Sequence, residues 1–136
     1  MSFHRFNLEG SGLARVLGTL EARILEAVWQ EEALTVRQMC DALGPDVHYK
    51  TVLTVANRMV EKGLLAREPA GDRAFRYRAV EARDAFLDRV SASVVAGLVS
   101  EFGRRSLAHF VDAASEVDAA YLDELERLVR ERKGEG

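Results

Sequence analysis

Between His48 and Ala79 the chain gathers side chains suited to binding an anionic polymer. Lys50, Thr51, Thr54, Asn57 and Arg58 recur on one side of a helical period. They are short polar or cationic groups that can donate to phosphates and base edges in a DNA major groove. Lys50 and Arg58 suit phosphate or guanine, and Thr51, Thr54 and Asn57 suit base edges or nearby phosphates. Leu53 suits the methyl group of a thymine. This face carries no long acidic side chain until Glu61. A basic hairpin follows, in which Arg73 and Arg76 are placed to grip backbone or minor groove. The chemistry is recognition rather than bond-making. A Gly-rich phosphate loop, a nucleophile elbow and a His/Glu pair on one helix are all missing, so the chain is expected not to be an enzyme. His4, His48 and His109 are scattered along the sequence with Cys40, and neither a metal nor a cofactor is expected.

Such a face needs a buried one behind it. Val52, Val55, Ala56, Met59 and Val60 fall at offsets zero, three, four, seven and eight, one apolar stripe of a helix of period 3.6 that ends at Lys62-Gly63. Upstream, Leu20, Ile24, Leu25 and Val28 repeat at helical spacing with Trp29 beside them, and Glu21 lies near the start, where the helix dipole favours an anion. Leu34-Thr35 reads as a short extended link. Thr35 with Gln38 forms a capping-box pattern for a second helix, whose stripe is Val36, Met39, Cys40 and Leu43 and whose end is Gly44-Pro45. Cys40 is therefore expected to pack rather than react. Leu64 to Glu68 and Ala74 to Arg78 read as strands around a five-residue turn. Leu65, Phe75 and Tyr77 are expected to point inward and Arg67, Arg76 and Arg78 outward. Helix, short strand, helix, helix, hairpin is the order of a winged helix-turn-helix, here expected over residues 17–80.

The formal net charge of -3 hides a division along the chain. Residues 48–80 hold seven Lys/Arg against three Asp/Glu, and residues 81–136 hold eight against twelve. The acidic half is repelled by phosphate and must serve another purpose. With 136 residues and 48% apolar content, one compact domain plus an appendage fits. No apolar run approaches the ~20 residues that cross a bilayer. Residues 1–16 lack the apolar stretch of a secretion signal and read as a flexible arm, a frayed terminus without a role in preference to one whose Arg5 and Arg15 touch DNA. A cytoplasmic location is expected, in keeping with a single cysteine.

Residues 81–136 read as helices built for association. Phe86, Val90, Val94, Leu98 and Phe102 recur every four residues up to an interruption at Gly103. Leu107, Phe110, Val111 and Ala114 mark a short helix. Tyr121, Leu122, Leu125, Leu128 and Val129 mark a last one, opened by Ser115 or Asp118. Without a sheet, these stripes can be buried only on each other, on the first domain or on a second copy. A second copy is the expectation, with Phe86, Val90, Val94, Leu98, Phe110, Leu122, Leu125, Leu128 and Val129 as the dimerisation residues.

In this order and spacing the residues resemble the bacterial penicillinase and methicillin-resistance repressors, a family that includes copper-responsive repressors. The resemblance covers nearly the whole chain. It rests on Leu20-Glu21 through Val28-Trp29, on Thr35-Val36-Arg37, and on Lys50-Thr51-Val52 with Thr54 and Arg58. The Lys62-Gly63 turn, Phe75-Arg76-Tyr77 and Leu122-Asp123-Glu124-Leu125 complete it. The resemblance implies a homodimer whose winged helices read both halves of a palindromic operator and block transcription. In its antibiotic-resistance members a membrane sensor protease leads to a cut at an Asn-Phe bond in the C-terminal half. The nearest match here is His109-Phe110, which departs from that pattern at the first residue. The paired cysteines of the copper-responsive members are missing. Two alternatives stand beside this reading: a winged helix used to dock protein, against which the basic wing argues, and a repressor with a small-molecule pocket in its helical half.

Overall fold

The computed structural model describes residues 17–134. The arm expected over residues 1–16, with Arg5 and Arg15, lies outside the described residues. The chain divides into two compact units, the first ending at Ser93 and the second beginning at Val94.

The first unit contains α1 (Thr19–Glu31), β1 (Leu34–Thr35), α2 (Val36–Leu43), α3 (Tyr49–Glu61), β2 (Leu65–Pro69), β3 (Phe75–Ala79) and the first turns of α4 (Arg83–Phe102). Its core is the meeting of the stripes expected from spacing. Ile24, Leu25 and Val28 of α1, Met39 of α2, and Val52, Ala56 and Met59 of α3 are all shut off from solvent. Each of these side chains larger than alanine contributes about 1.5–3 kcal/mol when removed from water. The extended link at Leu34-Thr35 pairs with the wing. The sheet order is β1-β3-β2, antiparallel throughout, with Leu34 opposite Tyr77 and Thr35 opposite Arg76.

Thr35 also opens α2 by the expected capping box. Its hydroxyl accepts from the Gln38 amide, and the Gln38 side chain accepts from the Thr35 amide at 2.9 Å. Thr35→Ala removes one of these bonds and is expected to cost about 1 kcal/mol, read as a lower urea midpoint at unchanged slope.

α4 enters the first unit at its base. The Trp29 indole N–H donates to the Glu81 carbonyl at 3.0 Å, and its ring lies 5.4 Å from that of Phe86. Arg83 reaches Glu26 at 3.3 Å, and Arg89 pairs with Glu81 at 2.7 Å. The hydrogen bond from Arg89 holds the Glu81 carboxyl below its ordinary value. Phe86 and Val90, expected among the dimerisation residues, are buried within the first unit, 2% and 6% exposed. The border between the two compact units falls inside α4, after Ser93.

The second unit holds the rest of α4, α5 (Arg104–Val117) and α6 (Ala120–Lys133), and α5 packs on α6. Gly103 breaks the helical run as expected. Its φ of 58° and ψ of -134° form a conformation that a Cβ would strain. Asp118 rather than Ser115 opens the last helix: its carboxylate accepts from the Ala120 amide at 3.0 Å, while Ser115 lies within α5. Among the described residues, no helix is long and apolar enough to cross a membrane.

Candidate nucleic-acid interface

α3 is held by its buried side and presents the other. With Val52, Ala56 and Met59 in the core, Lys50, Thr51, Thr54 and Arg58 are exposed, and Leu53 and Asn57 are half-buried. Gly63, at a φ of 81°, turns the chain from the helix into the wing. Lys62 is drawn back to Glu21 at 3.2 Å, which ties the end of α3 to the start of α1.

Tyr49 was not among the residues selected by spacing. By period it extends the apolar stripe, but it is the first residue of α3, where the core has ended, and the side chain is 52% exposed. The N-terminal residues of a reading helix are those that approach base edges. Position beside Lys50, rather than periodicity, is the signal that finds it.

The wing corrects the expected outward face of Arg67, which two residues after inward Leu65 follows strict alternation to the inner side. Arg67 lies opposite Tyr77, and Glu68 opposite Arg76. Directly opposed residues share a face, so Arg67 lies on the side of Tyr77 and not with Arg76 and Arg78. Phe75, expected to be inward, is 37% exposed, and the Arg67 guanidinium lies 4.3 Å from its ring centre. At the tip, Gly71, Asp72 and Arg73 have φ values of 85°, 46° and 62°. Three successive left-handed residues, closed by hydrogen bonds from the Ala70 amide to the Ala74 carbonyl and from the Ala74 amide to the Gly71 carbonyl, hold Arg73 at the apex of the wing.

Asn57 also differs from its expected role. Its side-chain oxygen accepts from the Arg67 guanidinium and from the Tyr77 hydroxyl, each at 2.8 Å. It joins α3 to the wing.

Charge is distributed unevenly. Lys62, Arg83, Arg89, Arg127, Arg130 and Arg132 all pair with carboxylates. Among the described residues, Lys50, Arg58, Arg67, Arg73, Arg76 and Arg78 make no ion pair. The cations of the reading helix and the wing are thus left for an outside anion.

The remaining expected association residues lie in or beside the second unit. Val94, Leu125 and Leu128 are half-buried, while Leu98, Phe110, Leu122 and Val129 are exposed. His109 and Phe110 stand in the middle of α5 with both side chains exposed. Cys40 is half-buried on α2, and burial, then the charge of Asp41, pushes its thiol up.

A helix-turn-helix whose reading helix is braced by a basic three-stranded wing defines a winged-helix regulator that binds DNA. The sequence profile of the penicillinase repressor family matches residues 17–131, and the chain belongs to that family. Among solved structures it is similar to RosR of H. salinarum, at 21% identity and a TM-score of 0.46, over 79% of this chain and 98% of that one. It is similar to a cysteine-to-serine variant of MarR from E. coli, at 15% identity and a TM-score of 0.44, over 82% and 76%. PcaV, a transcriptional regulator from Streptomyces coelicolor, matches at 21% identity and a TM-score of 0.41, over 85% and 79%. No curated protein matches the chain.

Proposed function

We propose that the protein is a homodimeric, sequence-specific transcriptional repressor that occupies an inverted-repeat operator in the cytoplasm and blocks transcription there. The observation that carries this reading is the set of unpaired cations on α3 and the wing, Lys50, Arg58, Arg73 and Arg76, in a family of repressors. Lys50, Thr51, Leu53, Thr54 and Arg58 face the major groove, and Arg73 and Arg76 the flanking backbone or minor groove. A twofold dimer spaces its reading helices by about 34 Å or a multiple of it, hence the inverted repeat. The exposed apolar side chains of the second unit, Leu98, Phe110, Leu122 and Val129 among them, supply the clasp.

Fluorescence anisotropy against the DNA upstream of the gene, at two salt concentrations and with scrambled competitor, tests the reading. Tight, competitor-resistant binding that weakens steeply with salt is expected, and equal affinity for scrambled DNA would refute sequence reading. Arg58→Ala is expected to cost about 1–3 kcal/mol if it reads a base, or to flatten the salt dependence if it touches phosphate. Unchanged affinity and salt dependence would remove Arg58 from the interface.

Relief of repression by a membrane sensor protease belongs to this proposal through His109-Phe110. The bond lies inside α5, so a protease reaches it only after that helix opens locally. A cut there would separate α6 from the start of α5 and break the clasp.

A further inference from the structure

Asn57 stands on α3 between Thr54 and Arg58, among the groups assigned to DNA, yet its carbonyl oxygen is already occupied. An amide oxygen has two acceptor sites. The Tyr77 hydroxyl and the Arg67 guanidinium, each at 2.8 Å, fill both. Tyr77 is 1% exposed and lies on the central strand, paired with Leu34 on one side and Arg67 on the other. The core therefore fixes Tyr77, Tyr77 fixes the Asn57 amide, and Asn57 fixes Arg67.

Arg67 is held a second time by the face of Phe75, 4.3 Å away. It is exposed, and among the described residues no carboxylate pairs with it. Glu68 alternates to the other face of the sheet. One of the five guanidinium N–H groups is committed to Asn57, and the others remain to donate. A cation bound at two points has little rotamer freedom left to lose when it meets an anion.

The position of this cation identifies its partner. A helix in the major groove and a wing on the adjoining minor groove are separated by one sugar-phosphate strand, and Arg67 lies where α3 meets the wing. We propose that Arg67 is a DNA-backbone contact at this seam and that Asn57 is the residue that positions it. Asn57 does not read a base through its carbonyl. The proposal rests on the reading of the protein as a DNA-binding dimer.

The test is the salt dependence of binding to an operator fragment, measured for the full chain and for Arg67→Ala, Arg67→Lys, Asn57→Ala and the Asn57→Ala/Arg67→Ala double variant. For Arg67→Ala the slope of log affinity against log salt should fall by about 0.9 per lost phosphate contact, about 1.8 for a dimer. Arg67→Lys keeps the charge and should restore most of the slope. Operator and scrambled DNA should weaken by the same factor, because a phosphate carries no sequence. The double variant should bind measurably better than the product of the two single losses predicts, because Asn57 acts through Arg67. A wild-type slope in Arg67→Ala, or multiplicative losses in the double variant, would overturn the assignment while leaving the DNA reading intact. Failure of the wild-type chain to bind any DNA would overturn both.

Discussion

Phe110→Asp is expected to turn the dimer into a monomer and to lower operator affinity by about 10²–10⁴, the advantage that linking two half-site contacts confers. Neither α5 nor α6 has a single buried residue. Leu107, Phe110 and Val111 of α5, with Tyr121, Leu122 and Val129 of α6, are all exposed. Two packed helices that leave this many large apolar groups in water are incomplete as a folding unit, and the proposed dimer would cover them with a second copy of the same surface. A carboxylate at Phe110 would be buried without a partner in that interface, which opposes association. Sedimentation of the variant, run beside anisotropy on the operator, checks both halves of the expectation. A variant that stays dimeric would remove Phe110 from the interface. A monomer with undiminished affinity would show that the clasp does not serve DNA binding.

Phe86→Ala has the largest expected effect on stability, a loss of about 3–5 kcal/mol. That is a large share of the roughly 5–15 kcal/mol that holds a domain folded. The ring is 2% exposed and meets Trp29 at 5.4 Å, so truncation leaves a cavity at the base of α4. Urea denaturation at several protein concentrations decides where the side chain belongs. A loss independent of concentration matches burial in the first unit. A loss that grows on dilution would assign Phe86 to the dimer interface instead, because only association carries a concentration term.

Phe86 also shows where sequence reading reaches its limit. Phe86, Val90, Val94 and Leu98 form one stripe at one spacing, and spacing identifies a buried face without identifying what buries it. The first two are spent in the first unit, while Val94 is half-buried and Leu98 exposed. The stripes of α1 to α3, the capping box at Thr35 and the break at Gly103 were legible, because each depends on a few neighbouring residues. The bounds of the hairpin were not. Both strands begin one residue later than expected, and Arg67, two residues after inward Leu65, follows strict alternation onto the side of Tyr77 rather than outward. Asn57 illustrates the same limit at the level of a single group. Its type suits base recognition, but its partners come from strands 10 and 20 positions away.

The two residues of β1 bear on the order in which the molecule assembles. β2 and β3 are joined by a short turn and can meet early, whereas Leu34 and Tyr77 are about forty residues apart in the chain. Closing that loop costs entropy that two ladder positions cannot repay, so β1 forms only when the helices between have already drawn its ends together. Pairing of β1 is thus expected late in folding. A wing complete with all three strands reports that α2 and α3 are in place, and no partly folded chain can offer DNA a finished wing ahead of its reading helix.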